Sequence, residues 1–334
     1  MRKIVKEWIA LLLAAAVLIT SLTWLTNILT PKQHDYGSVW GHFLQEEENS
    51  IDVMFFGSSI VYCDVVPAVF WKNSGLTAFV HAGPEQTLPT TLYYIRESLK
   101  TQSPGVIFVE CTGLVFNEYQ SYTKINVGQM PWGMNRLQAT LRTAEPELKM
   151  GLLFPMIFYH DRWTDLKPDD YEPYDLDMLA GYTWLEEYTG DGPEDCPTLT
   201  ISQEAWERNV AALEDIYALC RKEEIQLVLY RSPTKRVSDA DWGKILEQFN
   251  AREGVMMLNC LDYVERIGAD APTEYFDYLH YNGAGANKFS SFLGEWTREN
   301  MNVIPTENQN TALWQQRLEW FESMLQTPMK PLQP

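Results

Sequence analysis

The run Ile51-Asp52-Val53-Met54-Phe55-Phe56-Gly57-Ser58-Ser59 decides how the rest of the chain is read. Apolar side chains on both parities of a strand leave no face for water, so Ile51 to Phe56 predicts a short strand buried on both sides, broken at Gly57. Gly105 to Cys111 and Ile225 to Tyr230 are runs of the same kind, and Val255 to Cys260 supplies a later one. Between them, Thr87 to Lys100, Gln203 to Glu223 and Asp239 to Glu253 carry apolar residues three and four apart, as amphipathic crossover helices require. Gly283 to Met301 is a last helix of crossover length. Strands buried on both faces and joined by helices run parallel, so the expected fold is α/β, a three-layer αβα sandwich around a mainly parallel sheet.

Composition bounds the partners. The 334 residues carry 26 Lys plus Arg against 45 Asp plus Glu, a formal charge of −19, and a surface this acidic repels nucleic acid. With 46% hydrophobic and 21% charged residues, the chain buries a full core and is neither disordered nor fibrous. Its five cysteines are scattered, with no Cys-x-x-Cys, and read as small buried hydrophobes. Histidines 34, 42, 81, 160 and 280 form no metal-ligand spacing, so neither a metal nor a cofactor is expected. Twelve Trp and 17 Tyr suit a carbohydrate partner, although aromatics in such number serve mainly as core.

Arg2, Lys3 and Lys6 precede 22 uncharged residues from Trp8 to Leu29. A helix of that length reaches about 33 Å, enough for a hydrocarbon core near 30 Å. A cleaved signal peptide is the rival reading, but Trp24 to Pro31 holds no Ala-x-Ala cleavage site, and the segment reads as an uncleaved anchor. Basic residues ahead of the span put the N-terminus in the cytoplasm and the remainder outside. The expected division is a cytoplasmic tail (1–7), a transmembrane anchor (8–29), a juxtamembrane segment (30–49), the αβα domain (50–305) and a C-terminal helix and tail (306–334). Residues 161–202, rich in Asp, Glu, Pro, Tyr and Gly, read as an inserted cap. Asn308 to Gln326 reads as a helix whose stripe of Leu313, Trp314, Leu318, Trp320, Phe321 and Leu325 packs on the domain.

Ser59 falls where the first strand of the domain hands over to a helix, at the carboxyl edge of the sheet, where open α/β sheets bind ligands. Such a turn exposes the hydroxyl while backbone N–H groups point at the same space and can hold an oxyanion. Near the other end, Asp277-Tyr278-Leu279-His280 places a carboxylate three residues before an imidazole, a spacing that lets Asp277 fix the ring for general-base work. Gly-Ser-Ser alone is an ordinary turn and a lone His an ordinary surface residue. Their conjunction, one after the first strand and one after the last, predicts a Ser59–His280–Asp277 triad.

Phe56-Gly57-Ser58-Ser59, His81-Ala82-Gly83 after a second short strand, and Asp277-x-x-His280 resemble the first, second and last blocks of the SGNH/GDSL hydrolase superfamily, over about residues 50 to 302. The resemblance implies a flavodoxin-like sheet, Ser59 as nucleophile, the N–H groups of Ser59 and Gly83 as oxyanion donors, and Asp277 and His280 as orienting acid and base. The family's Gly-x-Asn-Asp block is missing: Phe108-Val109-Glu110-Cys111-Thr112-Gly113 stands in its place, and Asn117 lies too far on. With the N-terminal anchor, this departure resembles the membrane-anchored branch that includes the teichoic-acid D-alanylation accessory protein and the alginate O-acetylation proteins. That branch implies acyl transfer to a cell-envelope glycan or teichoic acid, beside a polytopic membrane-bound O-acyltransferase.

Tyr159-His160-Asp161-Arg162-Trp163 opens the expected cap, where His160, Arg162 and Trp163 are candidate substrate contacts; a surface ion pair between Asp161 and Arg162 is the plain alternative. Arg231, at the end of a strand, is a fourth candidate. The expected function is an extracytoplasmic serine esterase or acyltransferase. The alternatives are a non-catalytic binding or assembly subunit, which the absent Asn block suggests, and a soluble lipase.

Overall fold

The computed structural model describes residues 2–32, 36–307 and 309–332. His34, part of the juxtamembrane segment, Asn308 at the expected start of the terminal helix, and the last two residues of the expected tail lie outside the described residues. Besides the single-turn helices Trp40–Phe43, Val264–Ile267 and Ala271–Glu274, the helices in chain order are α1 (Arg2–Leu29), α2 (Ser59–Asp64), α3 (Pro67–Ser74), α4 (Leu88–Ser98), α5 (Thr123–Gly128), α6 (Met134–Thr143), α7 (Pro146–Leu153), α8 (Met156–Tyr159), α9 (Gln203–Lys222), α10 (Asp239–Phe249), α11 (Gly283–Asn300) and α12 (Thr311–Leu325). The principal strands are β1 (Val53–Phe56), β2 (Ala78–Val80), β3 (Val106–Glu110), β4 (Gln226–Arg231) and β5 (Val255–Asn259).

The fold is α/β. Its five strands lie in the order β2-β1-β3-β4-β5, and every pairing is parallel. Phe55 sits opposite Phe108 and Val80, and Val109 opposite Leu229. Strand side chains alternate between two buried clusters. Met54, Phe56, Ile107, Val109, Leu227 and Leu229 pack with residues of α4, α9 and α10. Val53, Phe55, Val106, Phe108, Val228 and Tyr230 pack with residues of α3 and α11. Both parities are therefore buried, which is why these strands read as unbroken apolar runs. Phe55 stacks on Phe108 with ring centroids 4.7 Å apart, and truncating either ring to Ala is expected to cost about 3–5 kcal/mol.

Between β3 and α9 the chain leaves the sheet for longer than the 161–202 reading allowed. Four short helices, α5 to α8, come first; the stretch after them holds only single turns and the two-residue strand Glu187–Tyr188, which pairs with Lys330–Pro331. That stretch borders the sheet edge and the loops beyond it. Val80 N–H donates to the Ala180 carbonyl, Thr183 N–H to that of Tyr62, and Thr189 N–H to that of Phe276.

α12 covers the domain with Trp314, Leu318 and Phe321, as its stripe requires, but Trp320 faces solvent at 53% exposure. Arg317 takes the inward position instead, fully buried and 2.5 Å from the Glu46 carboxylate. At the N-terminus, Lys3–Leu29 is long and apolar enough to cross a membrane; its most apolar stretch is not buried in the domain, whereas Leu29 at its end is buried. Its end is fastened to the domain. Arg162 donates to the carbonyls of Ile28 and Leu29 at 3.4 and 3.1 Å, and Gln129 donates to that of Pro31 at 2.9 Å.

Candidate active site

The β1–α2 turn is built around a glycine that no other residue replaces. Gly57 has φ +155°, and a Cβ there would lie 2.6 Å from Val61 Cγ2 and 2.9 Å from Glu110 Cβ. Ser58 precedes the helix in an extended conformation, and Ser59 is the first residue of α2, half-buried at the carboxyl end of β1. In the strand order β2-β1-β3 the chain passes from β1 to β2 on one side and then crosses to β3 on the other, so this turn stands at the topological switch point, where α/β sheets bind ligands.

The second half comes from a tight loop between β5 and α11. Tyr275 and Tyr281 form an antiparallel bridge, and Phe276 N–H donates to the His280 carbonyl at 2.8 Å, closing the loop. Inside it the Asp277 carboxylate accepts the N–H groups of Leu279 at 2.7 Å and His280 at 2.9 Å, and both its oxygens lie 3.0 Å from His280 Nδ1. His280 Nε2 is 2.8 Å from Ser59 Oγ, across a sequence separation of 221. Burial pushes the Asp277 carboxyl up, but the His280 ring and the two backbone N–H groups outweigh it and hold the group below its ordinary value. An ionised Asp277 assigns the proton to Nδ1 and leaves Nε2 free to accept from the Ser59 hydroxyl. The His280 and Asp277 side chains are 17% and 29% exposed, so the cluster is reachable from solvent.

Gly83 stands beside this turn, its N–H directed at the Gly57 carbonyl over a long 3.4 Å. Its own neighbourhood is crowded: a Cβ at Gly83 would lie 2.1 Å from Asn126 Oδ1 and 3.1 Å from Gln86 Oε1. Asn126, 4% exposed, donates from Nδ2 to the Pro84 carbonyl at 2.8 Å, and Glu85 in the same turn has φ +45°. Sequence reasoning missed Asn126, which belongs to α5, sixteen residues beyond the end of β3. Asn117 lines a separate cleft with Glu118, Tyr119 and Arg208.

Two buried carboxyls were also missed. Glu110, at the end of β3, accepts Thr112 N–H at 2.9 Å and Thr112 Oγ1 at 2.8 Å. Burial raises it to about 7, against the hydrogen bonds of Thr112 and Ser232 that lower it. Asp64, at the end of α2, accepts the N–H of Tyr281 at 2.8 Å. The signal available in the sequence was their charge inside apolar runs.

The structure gives the four expected substrate contacts other surroundings. Arg162 caps α1 and pairs with Asp170 at 2.6 Å, rather than with Asp161. Trp163 is 68% exposed and His160 is exposed beside it. Arg231 is 2% exposed, with its guanidinium 2.7 Å from the Asp239 carboxylate and 2.5 Å from the Val237 carbonyl, so it joins β4 to the start of α10. None of the four forms a hydrogen bond with the Ser59–His280–Asp277 group among the described residues. No protein-family model matches this chain, and no curated protein matches it.

Proposed function

We propose that this protein is a serine-dependent acyltransferase or esterase of the SGNH/GDSL kind, with the three-layer αβα arrangement of that superfamily. One observation carries the reading: the relay from Ser59 Oγ through His280 to Asp277, at 2.8 and 3.0 Å, assembled from opposite ends of the domain. Ser59 Oγ attacks an acyl carbonyl while His280 Nε2 takes its proton. The oxyanion forms against the N–H groups of Ser59 and Gly83. Collapse breaks the acyl C–O bond, and His280 returns the proton to the leaving oxygen. A water or a sugar hydroxyl, deprotonated by the same imidazole, then attacks the acyl-serine and releases it.

The uncharged stretch of α1 from Trp8 onward, with Arg2, Lys3 and Lys6 ahead of it, supports a single-pass protein with its N-terminus cytoplasmic and this site outside. The substrate class that suits such a placement is an O-acylated cell-envelope polysaccharide or teichoic acid, with a polytopic membrane-bound O-acyltransferase as partner. The experiment is turnover of an activated aryl acetate by the full chain in detergent. Ser59→Ala and His280→Ala should each lose about 10³-fold or more in kcat/KM; wild-type turnover no higher than Ser59→Ala contradicts the proposal.

A second reading, a non-catalytic binding subunit on the same fold, has its own support. Gly83 N–H is directed at the Gly57 carbonyl and the Asn126 amide donates to the Pro84 carbonyl, so among the described residues both of these donors beside the turn already have a partner.

A further inference from the structure

A crevice runs between α1 and the helices inserted after β3. One part, about 340 Å³, is lined by Ile19, Leu22, Trp132, Leu153, Phe154 and Met156 among others. The other part, about 420 Å³, is lined by Thr30, Lys32, Gln129 and Arg136 among others. The two parts share Thr26, Asn27, Trp132 and Pro155, so they form one continuous groove, apolar at one end and cationic at the other.

The direction of that gradient matters. Ile19 and Leu22 lie roughly 15 and 10 Å before Leu29 along the helix axis. If Lys3, Lys6 and Glu7 stay outside the hydrocarbon, a core of about 30 Å measured from Trp8 ends near Ile28. The apolar end of the groove then sits inside the hydrocarbon and the cationic end at the headgroup level, the orientation of a lipid molecule in the adjacent leaflet. The rim agrees: Trp132, Met134, Phe154, Ile157 and Trp163 are each more than half exposed, on a surface that would otherwise meet water.

Arg136 supplies the second observation. It is 5% exposed, stacks on Trp132 at 3.8 Å and donates to the carbonyls of Met130 and Leu152 at 2.8 and 3.1 Å, while its buried Nε has no hydrogen-bond partner among the described residues. Burial lowers its pKa to about 10, so it stays cationic at neutral pH, and among the described residues it forms no ion pair. The segment around it also departs from the acidity of the chain. Residues 122–167 carry Lys124, Arg136, Arg142, Lys149, Arg162 and Lys167 against Glu145, Glu147, Asp161 and Asp165, within a protein of charge −19.

We propose that this groove holds one anionic phospholipid of the adjacent leaflet, with an acyl chain along Ile19, Leu22 and Phe154 and the phosphate at Arg136 and Lys32. A guanidinium matches a phosphate in charge and in its planar set of donors. An apolar helix of another membrane protein would leave both cations without a counter-charge. The bound lipid wedges α1 against the domain and fixes the domain's tilt on the membrane.

The test is native mass spectrometry of the full chain in a mild non-ionic detergent, titrated with palmitoyl-oleoyl phosphatidylglycerol. One lipid should be retained. Lys32→Gln and Leu22→Ser should each weaken its binding by about tenfold, with thermal unfolding of the domain unchanged. These two positions are chosen because Arg136 also ties α6 to the end of α7, and its loss would disturb folding. Wild-type affinity in both variants overturns the proposal, as does an equal loss in Leu11→Ser, which is remote from the groove. Displacement of the lipid by 10 mM inorganic phosphate would also overturn it, showing a site for the free ion. So would a photo-crosslinker at Phe154 capturing a membrane protein instead of lipid in native membranes.

Discussion

Asp64 Oδ1 accepts the backbone N–H of Tyr281 at 2.8 Å, so the last residue of the short helix that Ser59 begins is bonded to the residue beside His280. The two halves of the triad are thereby linked through a strut that touches neither reacting atom. Asp64 is 1% exposed, and burial pushes its carboxyl well above the usual range in spite of the Tyr281 N–H. Removing it with Asp64→Ala leaves that N–H unpaired in the interior, at a cost of about 1–3 kcal/mol, and frees His280 to drift from Ser59. We expect a loss of about tenfold or more in kcat/KM on an activated ester. Asp64→Asn keeps an acceptor oxygen and should retain most of the rate. Equal losses in the two variants would contradict a positioning role.

Glu110 makes a prediction about pH. Its carboxyl rises from 4.5 to about 7 on burial. Between these values the folded state holds a proton that the unfolded state has released, so stability falls as pH rises through this window, by on the order of 3 kcal/mol. His81 runs the other way. Burial lowers it from 6.5 to about 3, so its contribution to stability falls as pH drops below 6.5. The two slopes oppose each other in the wild type, and only a difference measurement separates them. Melting temperatures of Glu110→Gln and wild type, compared at pH 5 and pH 8, should show the variant gaining relative to wild type at the higher pH.

Gly83 has no room for a side chain, because a Cβ would lie 2.1 Å from Asn126 Oδ1. Gly83→Ala should therefore displace the turn that carries the proposed oxyanion N–H and lower both stability and any turnover of an activated ester. Asn126→Ala alone loses the 2.8 Å bond to Pro84. The double variant should be less damaged than the sum of the two, with a coupling of about 0.5–3 kcal/mol in a thermal or denaturant double-mutant cycle. Strict additivity would mean that the crowding is relieved in some other way.

Glu46 and Arg317 form a fully buried ion pair that docks α12 on the domain, with side-chain exposures of 3% and 0%. Truncating one partner leaves the other charge buried without its counter-charge, and Glu46→Ala should destabilise the protein by about 3–5 kcal/mol. Replacing both, with Glu46→Leu and Arg317→Met, should cost much less. Chemical denaturation of the three variants checks the order.

The strands were legible because their burial on both faces writes itself as unbroken apolar runs ending at Gly57 or beside Gly105, and the observed β1, β3, β4 and β5 fall within a residue or two of those runs. The meeting of Ser59 and His280 followed from topology: a parallel sheet gathers the carboxyl ends of its strands at one edge. The helices α5 to α8 were not legible, because α5, α7 and α8 run for only six, eight and four residues, too few to repeat an apolar period. The partners of Arg162, Arg231 and Arg317 were beyond reach for a different reason. A guanidinium close to a sheet edge or in a cap looks the same in sequence whether it meets a ligand, a helix end or a buried carboxylate. Asn126 escaped because its place against Gly83 depends on how α5 folds back, not on its distance from β3.

The central claim is that Ser59 is a nucleophile activated by His280. Exposing the full chain to a fluorophosphonate and mapping the adduct by peptide mass spectrometry tests it most directly. We expect stoichiometric phosphonylation of Ser59, abolished in Ser59→Ala and slowed by about 10³-fold or more in His280→Ala. A folded wild-type protein that stays unlabelled at Ser59, or labels there just as fast without His280, would contradict it.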